Sequence, residues 1–384
     1  MEDFLLTKEL FTAEERDFQE KVGHFVDEYV IPRISDAWEN AKFLEDLIPQ
    51  IAELGCLGST LPKEYGCGGE GYVTYGIICQ ELERGDSSMR SFASVQSSLC
   101  MYPIYKFGSE DQKKKLLPGM ARGEIIGCFG LTEPDSGSDP SSMRTHVRKV
   151  PGGWILNGSK MWITNGPFAD IAIVWAKTEE GIRGFIVEKE VKGFQRIEMK
   201  NKMSLRSSST GELIFEDCFL PEENILPNSR GLSSALSCLT QARYGIAWGM
   251  VGAAIACYEN ALQYVHQSKH GEKSLAASQL VQTDLADMLT EIVKTQAFNL
   301  QLGRLKEKGK DSFVMASMAK MNACREALDI ARKARDLIEY SGTMIDAPAA
   351  RHMMNIESVF TLEGTDNIHH LTLGRHITGV NAFT

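Results

Sequence analysis

Four short stretches of this chain carry residue types whose spacing suits chemistry. Thr361-Leu-Glu-Gly-Thr-Asp366 sets a carboxylate directly before a glycine between apolar neighbours. Burial there would raise the pKa of Glu363 and suit it to proton abstraction, although on its own a surface Glu beside a turn is the commoner case. Arg90 stands with Ser91, Ser94 and Gln96, just after Glu81-Leu-Glu-Arg-Gly-Asp86. A guanidinium with hydroxyl neighbours can grip a carboxylate through forked hydrogen bonds, and position alone fits a solvated surface Arg equally well. Gly130-Leu-Thr-Glu-Pro-Asp-Ser-Gly-Ser-Asp139 can turn backbone N–H groups and hydroxyls toward an anion or a polar ring, or simply form a tight turn. It lacks the Gly-Lys-Ser/Thr of a Walker loop and the G-x-G-x-x-G of a dinucleotide fold. In Lys160-Met-Trp-Ile-Thr-Asn165, Trp162 offers a flat face and Thr164 a hydroxyl, a pairing suited to a planar heteroaromatic ligand. A Trp in a strand is otherwise usually core.

These stretches are distributed over three blocks. Residues 1–124 repeat apolar side chains at helical spacing, with breaks at Gly55, Pro62, Gly66–Gly71 and Pro118. Residues 125–228 switch to short β-prone runs such as Trp154-Ile-Leu, Ile171-Ala-Ile-Val-Trp and Gly184-Phe-Ile-Val. Residues 229–384 return to long helical patterns, clearest at Ala327, Leu328, Ile330, Ala331, Ala334, Leu337 and Ile338. The pattern predicts an α+β multi-domain protein: an N-terminal helical domain, a central β domain and a C-terminal helical domain. Strands gathered between helical blocks, rather than alternating with helices, argue against a doubly wound sheet.

The 384 residues carry 41 Lys and Arg against 51 Asp and Glu, a net charge of −10 without a basic stripe, which speaks against nucleic acid. The most apolar runs, Ile51–Leu61 and Tyr244–Cys257, are too short or too interrupted for a membrane span, and Met1–Phe11 has no signal-like apolar region. The expected location is the cytoplasm, or the mitochondrial matrix after loss of a transit peptide. The 9 cysteines form no C-x-x-C pair and are expected to stay as thiols. His369 and His370 are adjacent and cannot share one helical face, so no metal site is expected.

Taken in order along the chain, Phe129–Asp139, Asn157–Asn165 and Glu363-Gly-Thr365, framed by helical blocks, resemble the acyl-CoA dehydrogenases across essentially the whole sequence. Val95-Gln-Ser-Ser-Leu99, Met203–Leu213, Ala242–Trp248 and Ile377–Phe383 are most similar to the glutaryl-CoA branch of that family. The resemblance implies a helical domain, a barrel-like sheet and a C-terminal helical bundle. It implies FAD as cofactor, lined by Phe129, Leu131, Thr132, Ser138, Trp162, Thr164 and Thr365, with Glu363 as the base that removes the α-proton of an acyl-CoA thioester. Some relatives place the base just before the Arg that matches Arg243; here that position is Ala242. Arg90, Ser91, Ser94 and Glu83, with Arg243, match the substrate-binding positions, so a dicarboxylic acyl chain and loss of its distal carboxylate as CO2 are implied. So are an electron-transferring flavoprotein as acceptor and a homotetramer.

The sequence departs from the family pattern at three places. Ser268 and Gly271 stand where an Arg and a Phe usually grip the adenosine pyrophosphate of a neighbouring subunit's flavin. Glu339 and Tyr340 stand in a second, normally Gly-Gly, pyrophosphate segment, and Leu362 replaces a Tyr before the base. Lys269, His270 and Lys273 are candidate replacements, since point charges are adequate phosphate partners. Because the losses fall on the adenosine half, a flavin-independent decarboxylase or isomerase using Glu363 on the same fold is the alternative expectation. A non-catalytic acyl-CoA binder or an oxidase or monooxygenase offshoot is a further one.

Overall fold

The computed structural model describes residue 1 and residues 3–383, the side chain of His270 excepted. Thr12 opens the first helix with a capping box, its hydroxyl accepting from Glu15 N–H while the Glu15 carboxylate accepts from Thr12 N–H. The N-terminal helices are α1 (Ala13–Phe25), α2 (Ile31–Glu39), α3 (Ile48–Glu53), α4 (Tyr72–Gly85), α5 (Ser87–Ser94), α6 (Tyr102–Phe107) and α7 (Glu110–Ala121). Ser109 and Gln112 repeat the capping box at the start of α7.

The strands then run without intervening α-helices: β1 (Gly127–Gly130), β2 (His146–Val150), β3 (Gly153–Thr164), β4 (Ile171–Thr178), β5 (Gly181–Glu188), β6 (Phe194–Glu198) and β7 (Thr210–Pro221). β4 pairs in parallel with β1 and antiparallel with β5, while β2, β3, β7 and β6 form an antiparallel series. One parallel pair, His146 with Lys177, joins the two halves of this curled sheet. The register of β3 on β7 shifts between Lys160 and Ile163, a bulge that contains Trp162.

The C-terminal block is built on α8 (Gly231–Gln267), followed by the small hairpin β8 (Lys269–His270) and β9 (Lys273–Ser274). It continues with α9 (Gln279–Glu307), α10 (Phe313–Leu337), α11 (Pro348–Thr361) and α12 (Asp366–Thr378). The hairpin is a local departure from the helical pattern, its turn made by Gly271 at φ 62°. From Tyr244 to Cys257 nearly every α8 side chain is buried, as expected of a helix that is apolar all round. Its glycines permit close contact with α4: a Cβ on Gly252 would lie 1.9 Å from the Gln80 carbonyl oxygen.

Asp86, fully buried at the joint of α4 and α5, ties the three blocks together. Its Oδ1 accepts from Ser88 N–H (2.9 Å), Ser88 Oγ (2.7 Å) and Ser207 Oγ (3.1 Å). Its Oδ2 accepts from Asn355 Nδ2 (2.9 Å) and Arg351 Nε (3.2 Å). The Asn355 oxygen in turn accepts from Leu205 N–H (2.8 Å) and Trp38 Nε1 (3.1 Å). The carboxylate thus caps α5, holds the loop before β7 and anchors α11.

Candidate active site

Glu363 occupies the turn between α11 and α12, where the chain reverses through φ 55° at Glu363 and 109° at Gly364. Left-handed backbone is unfavourable for a residue with a side chain, so something must hold it. Lys320 Nζ, from α10, donates to the carbonyls of Leu362 and Gly364, both at 2.7 Å. Arg243 Nε, from α8, donates to the carbonyl of Glu363 at 2.8 Å. The Thr365 hydroxyl then accepts from Ile368 N–H at 3.3 Å and starts α12.

The Glu363 side chain is half-buried, but its Oε2 is sequestered and has no hydrogen-bond partner among the described residues. Burial pushes its pKa above the ordinary carboxylate value, opposed by the positive charges of Arg90, Lys320 and Arg243. His369, fully buried on α12, lies beside Gly364: a Cβ there would be 2.9 Å from the imidazole Cε1. Burial, with repulsion from Lys320 and Arg243, pushes the His369 pKa down to about 3, so it is neutral at ordinary pH. Its neighbour His370 is exposed. Among the described residues no group of three His, Cys, Asp or Glu side chains could hold a metal ion.

Arg90, on α5, is 1% exposed rather than solvated. Its Nε donates to Glu83 Oε2 of α4, while Nη2 and Glu83 Oε1 have no partner among the described residues. The Ser91 hydroxyl is also buried and unpartnered, and Ser94 Oγ accepts from Tyr75 Oη at 3.4 Å. Tyr75 Oη further shares a 2.8 Å hydrogen bond with Ser98. Gly249 on α8 makes room for the ion pair, since a Cβ would lie 2.8 Å from Glu83 Oε2 and 3.2 Å from Arg90 Nε. A desolvated Arg with a free N–H edge, close enough for its charge to act on Glu363, suits an acidic group at the far end of a chain activated at Glu363.

The second cluster lies on the sheet. Trp162, at φ 63° in the bulge, is 61% exposed and is not core, contrary to the usual fate of a strand Trp. Met161 N–H donates to the Thr132 carbonyl at 2.9 Å, which places the 130–139 loop beside the indole. The Thr132, Ser138 and Thr164 hydroxyls make no protein hydrogen bond among the described residues; Thr132 and Thr164 are half-buried and Ser138 is exposed. Phe129 and Leu131 are buried beneath, with Phe129 tilted against Trp175. A flat exposed ring flanked by unengaged hydroxyls and apolar packing fits an isoalloxazine.

Sequence reasoning missed the groups that hold this loop. Lys160, fully buried, donates to the Leu131 carbonyl (3.0 Å) and Glu133 Oε1 (2.8 Å). Burial works against the charge of Glu133, yet the N–H of Arg144, the Lys160 ammonium and Thr145 hold its pKa down at about 2. Burial pushes Lys160 down to about 8, with Glu133 opposing. Lys320, Tyr75 and Ser98 were missed as well. The available signal for Lys320 was a single Lys in the apolar run Val314–Cys324.

Of the three departures, Leu362 lies in the turn of the base, its carbonyl accepting from Lys320, and the other two sit elsewhere. Along α8, Gln267 is roughly 36 Å from Arg243 at about 1.5 Å per residue, so Ser268 and Gly271 are remote from the base. Tyr264 Oη donates to Glu339 Oε2 at 3.0 Å, placing Glu339 and the 83% exposed Tyr340 at the same end of α8. The two pyrophosphate-segment departures thus lie at one end of α8, with Lys269 and Lys273 on its hairpin; the His270 side chain lies outside the described residues.

Comparison with known proteins places this geometry in a class. The chain matches the N-terminal domain of acyl-CoA dehydrogenases over residues 12–124, the middle domain over 128–218 and the C-terminal domain over 229–378. It belongs to the acyl-CoA dehydrogenase family and is a flavin-dependent oxidoreductase with FAD as cofactor. Isovaleryl-CoA dehydrogenase, mitochondrial, of Solanum tuberosum is 32% identical over 379 residues, covering 97% of this chain and 92% of that protein. A glutaryl-CoA dehydrogenase of Mycobacterium smegmatis in complex with FADH2 is 45% identical with a TM-score of 0.97, covering 99% and 98% of the two chains. A glutaryl-coenzyme A dehydrogenase in complex with glutaryl-CoA is 29% identical with a TM-score of 0.92, covering 97% and 96%. Among the described residues no helix is long and apolar enough to cross a membrane.

Proposed function

We propose that the chain oxidises a short dicarboxylic acyl-CoA of the glutaryl type between its α and β carbons and releases the distal carboxylate as CO2. The observation that carries this reading is the buried Arg90, paired with Glu83 yet keeping Nη2 without a partner among the described residues and near enough to Glu363 for its charge to act there. An uncharged acyl chain would leave that N–H unsatisfied, at a cost of about 1–3 kcal/mol, whereas a terminal carboxylate satisfies it.

Glu363 takes the α-proton as its carboxylate becomes a carboxylic acid. The turn that Lys320 and Arg243 hold directs the base, and the Glu363 backbone N–H is the donor this chain would offer to the charge building on the thioester oxygen. When bound, FAD would supply the two-electron acceptor for the β-hydrogen. Phe129, Leu131, Thr132, Ser138, Trp162, Thr164 and Thr365 are the residues that would hold its ring system. The product is an α,β-unsaturated thioester that still bears its distal carboxylate. Cleavage of that C–C bond releases CO2 and leaves the electron pair delocalised into the thioester, and protonated Glu363 returns its proton to the chain. Arg90 and Glu83, with Ser91 and Ser94, hold the carboxylate until it leaves.

The family supports an electron-transferring flavoprotein as acceptor and a homotetramer. Nine buried thiols fit a reducing compartment, the cytoplasm or the mitochondrial matrix. The test is holoenzyme supplied with glutaryl-CoA and an artificial electron acceptor, with CO2 and reduced acceptor counted together. One CO2 per two electrons is expected. Oxidation without CO2 would overturn decarboxylation, and turnover at the normal rate in Glu363→Gln would remove Glu363 as base.

A further inference from the structure

The charged side chains buried in this protein are paired almost without exception. Glu15 meets Arg304, Glu81 meets Arg84, Glu83 meets Arg90, Asp86 meets Arg351, Glu133 meets Lys160 and Lys306 meets Asp311. Lys320, 1% exposed, is the one buried charged side chain among the described residues that forms no ion pair. Its hydrogen-bond acceptors are instead the two carbonyls that flank Glu363 in sequence. An ammonium is costly to bury on carbonyl dipoles alone, and a charge retained at that cost has something to act on.

We propose that Lys320 is a positioning residue for the base: it pins the strained turn by the carbonyls of Leu362 and Gly364 and supplies an unneutralised positive charge that keeps the Glu363 carboxylate ionised. This rests on the reading of Glu363 as the base. Arg243 contributes a third hydrogen bond to the same turn, but its contact with Ser317 at 3.5 Å gives it another partner. Lys320 has no hydrogen-bond partner beyond the turn among the described residues.

The charged and titratable groups around Glu363 are Cys79 and Glu83 of α4, Arg90 of α5, Arg243 of α8, Lys320 and Cys324 of α10, and His369 and Asp366 of α12. Glu83 is bound to Arg90 and Asp366 to Arg325. His369 is neutral above about pH 3, and burial keeps both thiols protonated. Burial lowers the pKa of Lys320 and raises that of Glu363, so the acid limb of kcat/KM, on which activity is lost as a base takes up a proton, is assigned to Glu363. Removing a neighbouring positive charge disfavours the carboxylate, so that limb moves to higher pH.

The test measures kcat and KM from pH 5 to 9 in FAD-loaded wild type, Lys320→Met and Lys320→Arg, with whichever of glutaryl-CoA and butyryl-CoA is turned over faster. Lys320→Met is expected to raise the acid limb by about one unit or more and to lower kcat at pH 6 by up to about tenfold for each unit of that rise, with KM changed less than about threefold. Lys320→Arg keeps the charge and is expected to keep the limb within about 0.3 unit of wild type. An acid limb unmoved in Lys320→Met overturns the proposal, because a side chain that merely packs has no reason to move a pH profile. If Lys320→Met does not fold, Lys320→Gln replaces it, removing the charge while retaining two N–H donors; a raised limb supports the proposal and an unmoved one overturns it. Glu363→Gln, run in parallel, separates the two readings. Full activity there would remove the base itself, whereas its inactivity together with an unmoved limb in the Lys320 variant overturns Lys320 alone.

Discussion

Asp86→Ala tests whether one carboxylate holds the three blocks in register. The substitution removes the acceptor of five hydrogen bonds and the helix cap of α5. Losing an Asp cap costs about 1 kcal/mol. The larger effect falls on Arg351, 3% exposed, which keeps only carbonyl and hydroxyl acceptors such as Ile345 O at 3.1 Å. Breaking one side of a buried ion pair costs about 3–5 kcal/mol because the other charge stays desolvated. The sum is about 4–6 kcal/mol. With an unfolding entropy of about 2.1 cal/mol/K per residue, a chain of 384 residues gains roughly 0.8 kcal/mol/K. If the blocks unfold together, the melting temperature of the holoenzyme falls by about 5–7 °C in calorimetry. The double variant Asp86→Ala/Arg351→Met removes the stranded charge and should melt above Asp86→Ala. A double variant that instead melts lower, by the full cost of Arg351→Met alone, would refute the stranded-charge account and leave only the lost hydrogen bonds.

Other substitutions separate the parts of the site. Arg90→Met leaves Glu83 as a buried unpaired carboxylate, so kcat/KM for glutaryl-CoA should fall at least about 100-fold while the ratio of butyryl-CoA to glutaryl-CoA turnover rises; an unchanged ratio counts against the carboxylate role. Gly249→Ala puts a methyl 2.8 Å from Glu83 Oε2 and should displace the ion pair, raising KM for glutaryl-CoA about tenfold or more with little change in FAD content by absorbance. Glu133→Gln should loosen the 130–139 loop and weaken FAD binding about tenfold in a fluorescence titration, since the amide keeps one oxygen for Lys160 but removes the charge that neutralises it and turns an NH2 toward the Arg144 N–H. The folded pKa of Glu133 is held at about 2, below its ordinary 4.5, so its stabilisation is complete above about pH 4.5 and is lost as pH falls toward 2. Wild type should show this acid-side loss in melting temperature, and Glu133→Gln should show less of it.

The helical blocks were legible because amphipathic spacing and caps act within a few residues, as at Thr12 and Ser109. The strand run was legible from β-branched and aromatic residues between Gly and Pro breaks. Glu363 could be singled out because a left-handed turn of Glu followed by Gly leaves a local trace. The burial of Arg90 could not, since it depends on Gly249 in α8 leaving room for the guanidinium. Trp162 was ambiguous for a similar reason: the bulge that turns it outward is a register shift against β7, and register is a property of two strands. Lys320 left the faintest trace, because the acceptors that explain it are backbone carbonyls of Leu362 and Gly364, and every residue has one.

The same physics explains why the site and the rest of the interior treat charge differently. Elsewhere a buried acid is matched by a base within about 3 Å, and such pairs contribute more to specificity of packing than to net stability. At Glu363 the match is withheld. Arg90 is committed to Glu83, Arg243 and Lys320 are committed to carbonyls, and Glu363 Oε2 is left without a partner among the described residues. A direct salt bridge would stabilise the carboxylate in its resting state and weaken it as a base, because the partner would have to be released before the proton could be taken. Positive charges fixed to the backbone of the turn act through space, favouring ionisation without occupying the lone pairs. The unpaired carboxylate and the unpaired ammonium are therefore two ends of one arrangement, in which stability is given up at the position where a proton has to move.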